Sequence, residues 1–227
     1  MDKKIINIIF GIRFLKSFGV LDKTGQIIDN ILYDDRSPFK AQKMFSDIQE
    51  ISTREKLLLN KEGEYLRINE SDLIFKVFVK DDFDKKMEWI QKDVLEYFAK
   101  YLFKKFEIKN FVRLGIVFNH KIEVENKEKE FNDFIKNLTK SKIEEIEGLS
   151  MSFNTKRLAA FESLYRKEVK DFRNTIYTIN KEKNYYLFSL DYQYCFEPYP
   201  EDFRDCLTDT FLTSSKDFLK KSFYEWL

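Results

Sequence analysis

One histidine, two cysteines, three prolines and six glycines in 227 residues leave little material for several familiar chemistries. His120 is the sole imidazole, and Cys195 and Cys206 do not sit in a metal-like pair, so a zinc site lacks ligands. The glycines never fall in a phosphate-cradling pattern, which argues against nucleotide chemistry. No run approaches the ~20 apolar residues of a membrane span. The apolar opening, Ile5 to Phe10, is interrupted by Asn7, then by Gly11 and Arg13, and no small-residue cleavage site follows. Net charge is +1, from 40 basic and 39 acidic residues, so no global field draws in a nucleic-acid backbone. These absences lead us to expect a soluble, cytoplasmic protein with no cofactor, no metal and no membrane contact. Sparse cysteine suits a reducing compartment.

What the chain has is phenylalanine. Aromatic residues make up 17% of the chain and 24 of them are Phe, against 43% hydrophobic and 35% charged residues overall. That balance is globular rather than disordered. A Phe-packed core explains the excess better than an exposed aromatic groove.

The pattern is clearest between Asp72 and Ile122. Asp72 to Lys80 is rich in β-branched and aromatic residues and reads as a strand. The acidic turn Asp81-Asp82-Phe83-Asp84 precedes a helix expected from Lys85 to Phe106. Its face carries Met87, Ile90, Val94, Phe98, Tyr101 and Leu102. Acidic residues there suit the helix dipole, which we prefer to a cation site. In the closing strand Val112, Leu114, Ile116, Phe118 and Ile122 point one way, and Arg113, Gly115, Val117 and Asn119 the other.

Upstream, Ile5 to Phe14 alternates as a strand, and Phe18 to Asp29, with Gly19 and Gly25, reads as a loop or loose hairpin. Ser37-Pro38 starts a short helix with a stripe of Phe39, Met44, Phe45 and Ile48. Glu55 to Leu59 and Glu64 to Ile68 form a hairpin. Downstream, Glu123 to Glu147 reads as a charged amphipathic helix, and Leu149 to Phe153 as a strand. Arg157 to Phe172 fits a helix followed by a strand from Thr175 to Ile179, with one long hairpin as the competing assignment. Tyr185 to Phe196 is a strand, and Glu201 to Trp226 a terminal helix.

Leu73 to Phe106 and Tyr186 to Phe223 share an order of aromatic strand, acidic turn and long helix. The expected fold class is therefore α+β: antiparallel sheet with long amphipathic helices packed on one face, in two duplicated strand-turn-helix modules. The expected division is an N-terminal α+β module over 1–125, a charged helix or linker over 126–147 and a C-terminal α+β module over 148–227. One continuous domain is the alternative.

Three segments carry a resemblance: Ile8-Ile9-Phe10-Gly11-Ile12-Arg13-Phe14, Val112 to Asn119, and Phe188-Ser189-Leu190-Asp191-Tyr192 before the terminal helix. In this order they resemble a sporadically distributed, functionally uncharacterised prokaryotic family of similar length. Arg113 and Asn119 match the family's strand signature, while Val117-Phe118 replaces its Arg-Tyr. The resemblance implies a role linked to mobile elements or antiviral defence.

No catalytic constellation assembles. Arg113 and His120 have the spacing of a ribonuclease motif, but on one strand they point to opposite faces. Glu107-Ile108-Lys109 and Glu168-Val169-Lys170 match half of a metal-nuclease site, a chance event in a chain this rich in Glu and Lys. The cysteines read as buried. We therefore expect a non-enzymatic protein-interaction or recognition subunit whose partner is another protein, with oligomerisation left open. The alternative is nucleic-acid binding, alone or as an accessory subunit of a nuclease complex, through Lys-rich helix ends. The candidate binding residues are Arg113, Asn119, Lys104, Lys105, Lys220 and Lys221.

Overall fold

A computed structural model describes residues 4–52, 54–80, 82–123, 129, 133, 136, 150–158, 172–181, 185–199 and 208–220. Its framework is a single nine-stranded antiparallel sheet. The strands are β1 (Lys4–Phe14), β2 (Asp47–Ser52), β3 (Glu55–Leu59), β4 (Tyr65–Asn69), β5 (Asp72–Phe78), β6 (Phe111–Glu123), β7 (Ser150–Leu158), β8 (Phe172–Lys181) and β9 (Tyr185–Tyr199). They lie in the order β2-β3-β4-β5-β1-β6-β9-β8-β7. Short connections join β2 to β3, β3 to β4 and β4 to β5, while β1 pairs with β5 and β6 across longer stretches of chain. Between β3 and β4 the Asn60 side chain accepts from the backbone N–H groups of Glu62 and Glu64, and Gly63 supplies the positive φ of 86°.

The α-helices are α1 (Phe18–Asp22), α2 (Thr24–Tyr33), α3 (Pro38–Ala41), α4 (Phe83–Trp89), α5 (Phe103–Phe106) and α6 (Thr208–Phe218). Between α4 and α5 the chain stays helical but passes through two π-helical segments, Ile90–Leu95 and Phe98–Leu102. The apolar pattern explains the wider turns. Ile90, Val94, Phe98, Leu102 and Phe106 are all buried and recur every four residues. On an ideal α-helix each such step drifts about 40° off the core-facing line, and π turns take that drift back. Tyr101, expected on this face, is 38% exposed, while Tyr97 is buried.

The core lies between one face of the sheet and these helices. Phe10 stacks on Phe75 with centroids 5.5 Å apart and meets Phe211 of α6 edge-on at 6.0 Å. Phe39 of α3 reaches Phe75 and Phe98, and Phe103 reaches Phe111. The phenylalanines thus do their work inside, as the composition suggests.

The two-module α+β expectation is overturned. Strand makes up 46% of the molecule, and only α2, α4 and α6 among the α-helices reach seven residues. Several segments account for the shift. Phe18 to Asp29, read as a loose hairpin on its glycines, holds α1 and most of α2, because Val20, Ile27, Ile28 and Ile31 bury on one side. The helix after Ser37 is one turn, and Ile48, counted in its stripe, belongs to strand β2. Arg157 and Leu158 end β7, which pairs antiparallel with β8, so both ends of the 157–180 region follow the hairpin assignment. Strands from both halves join in one sheet, β6 against β9. The charged helix or linker expected over 126–147 lies almost wholly outside the described residues, as do the flanks of the terminal helix.

Candidate functional site: the open face of the sheet

Side chains alternate along each strand, so every strand divides its residues between two faces. Ile8, Phe10, Ile12 and Phe14 of β1 enter the core, as do Leu114, Ile116, Phe118 and His120 of β6. Buried side chains of all six α-helices join that same cluster. None of α1–α6 packs on the opposite face. We call it the open face.

Strand register lays this face out in rows across β5, β1, β6 and β9. The first row is Asp72, Arg13, Arg113 and Cys195. The second is Ile74, Gly11, Gly115 and Gln193, continued by Asn174 on β8. The third is Lys76, Ile9, Val117 and Asp191, continued by Ile176. The fourth is Phe78, Asn7, Asn119 and Ser189, continued by Thr178.

Hydrogen bonds between side chains fix these rows. Asn119 Nδ2 donates to Asn7 Oδ1 at 2.7 Å, and the Ser189 hydroxyl donates to Asn119 Oδ1. Asn174 Nδ2 donates to Gln193 Oε1 at 3.2 Å, and Gln193 Nε2 donates to Asp191 Oδ2 at 2.6 Å. Arg13 grips Asp72 with two bonds, 2.7 Å and 3.2 Å long. Polar side chains tied to each other lose little further freedom when a ligand arrives, so the face is preorganised.

At its centre the face is bare. Gly11 and Gly115 stand directly opposite each other. A methyl at Gly11 would find Ile74 at 3.6 Å, and one at Gly115 would find Gln193 at 3.7 Å and Asp191 at 3.9 Å. All three are ordinary contact distances, so sterics do not force glycine here. The pair leaves a shallow notch with backbone as its floor. Ile9 and Val117 close one end, Arg13 and Arg113 the other; Ile74 and Gln193 form the sides. Strand geometry sets the flanking Cα atoms roughly 13 Å apart along the strands and roughly 14 Å apart across them.

The electrostatics favour an anionic visitor. On these four strands register places Lys4, Arg13, Lys76, Arg113 and Lys121 on this face, with Asp72, Asp191 and Glu123. Asp72 is occupied by Arg13. Burial pushes the Asp191 carboxyl above the ordinary carboxylate range, although Gln193 and Arg113 pull it down.

The sequence-predicted residues fare differently. Arg113 and Asn119 both lie on the open face of β6, in the first and fourth rows. His120 faces the other way and is fully buried. Cys195, read as buried, is half-exposed on the open face, while Cys206 lies outside the described residues. Lys104 and Lys105 end the helical run, and Lys105 donates to Asn30 at 2.8 Å. Lys220 does not mirror them: with Lys216 it converges on Asp84, at the start of that run, at distances of 3.9 and 2.7 Å. Twenty helical residues, roughly 30 Å, separate the two lysine groups. Lys221 lies outside the described residues. The acidic turn is structural, because Asp82 caps α4 by accepting from the Lys85 N–H at 3.1 Å.

A concavity of about 500 Å³ lies outside the helical run, between Arg36, Trp89, Tyr97 and Tyr101. Its cations are already matched, Arg36 to Asp34, Lys92 to Glu88 and Lys100 to Glu96. Arg36 holds the Asp34 carboxyl at about 2. This surface is internally neutralised. Sequence reasoning missed the notch, although Gly11 and Gly115 each sit at an outward position of an alternating strand, a signal that points there once the two strands are paired. No family model and no curated protein matches this chain, so the chemistry of the face alone carries the functional reading.

Proposed function

We propose that this chain is a binding protein that recognises another protein with the open face of its sheet. One observation carries the reading: helices α1–α6 cover one side of the sheet, while the side away from them is ordered by cross-strand hydrogen bonds. Half-buried Ile9, Ile74, Val117, Ile176 and Leu187 give this face apolar contact area, and its amides and hydroxyls give directional partners. The buried aromatic side chains supply the scaffold beneath this face. Nucleic-acid binding through the lysine-rich helix ends has less support, since Lys216 and Lys220 are engaged with Asp84, far from Lys104 and Lys105.

The test is affinity capture from cell extract with three proteins: wild type, Ile9→Lys with Val117→Lys, and Lys104→Glu with Lys220→Glu. The reading expects a protein set retained by wild type and the lysine variant but lost by the open-face variant. Retention of the set by the open-face variant overturns it. So does capture of nucleic acid that weakens steeply with salt and is lost in the lysine variant.

A further inference from the structure

We infer that the Gly11–Gly115 notch seats an aromatic side chain carried on an acidic segment of the partner. This rests on the open face being the binding surface and names what the face reads there. Two opposed glycines expose a flat patch of backbone, and aromatic rings cover such gaps in sheets because a ring can lie on bare peptide planes without displacing side chains. The dimensions admit one ring. Arg113 stands at the edge of the floor, where a guanidinium can approach the ring's π face or take a carboxylate beside it.

Charge decides what surrounds the ring. Lys76 flanks the notch from the β5 side, one row from Gly11, with Phe78 beneath its ammonium group at 4.7 Å; Lys121 stands further along β6, six residues from Gly115, over Tyr185 at 4.8 Å. Asp72 is paired with Arg13, so Arg113 and Lys76 stand beside the notch against Asp191. A peptide fits better than a nucleic-acid strand. The row beside the glycines is apolar at Ile9, Val117 and Ile176, which suits side chains two residues apart on an extended segment. A phosphodiester backbone gains nothing there.

The glycines can be filled without harming the fold. Neither Gly11 nor Gly115 has a positive φ, and alanine finds only ordinary contacts at both. Alanine also reduces the freedom of the unfolded chain, so the melting temperature should hold or rise. The probes are three fluorescently labelled dodecapeptides: an acidic one with a central tryptophan, the same with a central leucine, and a lysine-for-acid version of the first. A thymidine dodecanucleotide is the fourth probe.

The acidic tryptophan peptide should bind wild type. Its affinity should fall at least tenfold on Gly11→Ala with Gly115→Ala, and at least tenfold when leucine replaces tryptophan. The lysine version should not bind. Equal binding by the alanine variant, or by the leucine peptide, overturns the inference, as does tighter binding of the lysine version. Notch-dependent binding of the oligonucleotide overturns it in favour of a nucleic-acid ligand. If no peptide binds while Ile9→Lys with Val117→Lys still abolishes protein capture, the inference fails and the open-face reading stands. If neither depends on the face, both fall.

Discussion

Asp191 shows how a single side chain reports on the face it occupies. Its carboxyl is raised above the unfolded value mainly by burial, so the folded state holds its proton more tightly than the unfolded state does. Its unfavourable contribution is absent below the unfolded carboxylate range, grows between the unfolded and the folded value, and is complete above the latter. Asp191→Asn, which keeps an acceptor for Gln193, should therefore melt no lower than wild type at pH 7. Its advantage should disappear near pH 4, as read by thermal melts across that range. A partner that covers the face would deepen the burial and enlarge the pH dependence. On the opposite side, Phe10 has no exposed surface and touches Phe75 and Phe211. Phe10→Ala should cost about 3–5 kcal/mol, visible as a lower denaturant midpoint. Alternation along β1 and β9 puts Phe10 inward and Asp191 on the face away from Tyr192. What alternation omits is depth. That Cys195 and Asp191 are both only partly exposed depends on neighbouring strands, which one strand's sequence does not contain.

Among elements, the strands were the most legible. β1, β3, β4, β5, β6 and β9 lie within a few residues of where their alternation places them, because a two-residue period leaves no competing assignment over ten residues. The helices were less legible because turn signals misled. Gly19 and Gly25 suggested a loop, yet Ser17 caps α1 by accepting from the Val20 N–H at 3.3 Å, and buried isoleucines anchor α2. The α4 start is a cleaner case: Asp82→Ala should lose about 1 kcal/mol of stability, measured by denaturant unfolding, while Asp82→Asn should lose less. β2 offers the opposite test. All six of its residues are exposed, with Ile48 at 50% and Ile51 at 56%. Ile48→Lys with Ile51→Lys should therefore change stability by no more than about 0.5 kcal/mol per site. A larger loss would mean that this edge strand is covered in solution.

At the scale of the molecule, the described strands form one broad sheet and helices α1–α6 pack on a single side. The sequence suggested helices on one face but divided them between two modules, and it did not show that β6 pairs with both β1 and β9. Pairing across the chain is set by long-range contacts that no local period encodes. The same pairing creates the glycine notch from two glycines 104 positions apart, and it separates Lys104 and Lys105 from Lys220. The central claim, that the uncovered side is the contact surface, is open to a direct measurement. A photoreactive residue is placed at Thr178 or Ser189 on the open face, and at Lys86 or Lys104 on the helical side, and the protein is irradiated in cells. We expect covalent adducts to one common protein from both open-face positions and none to it from the helical side. Adducts from the helical positions alone, or none from the open face, would contradict the claim.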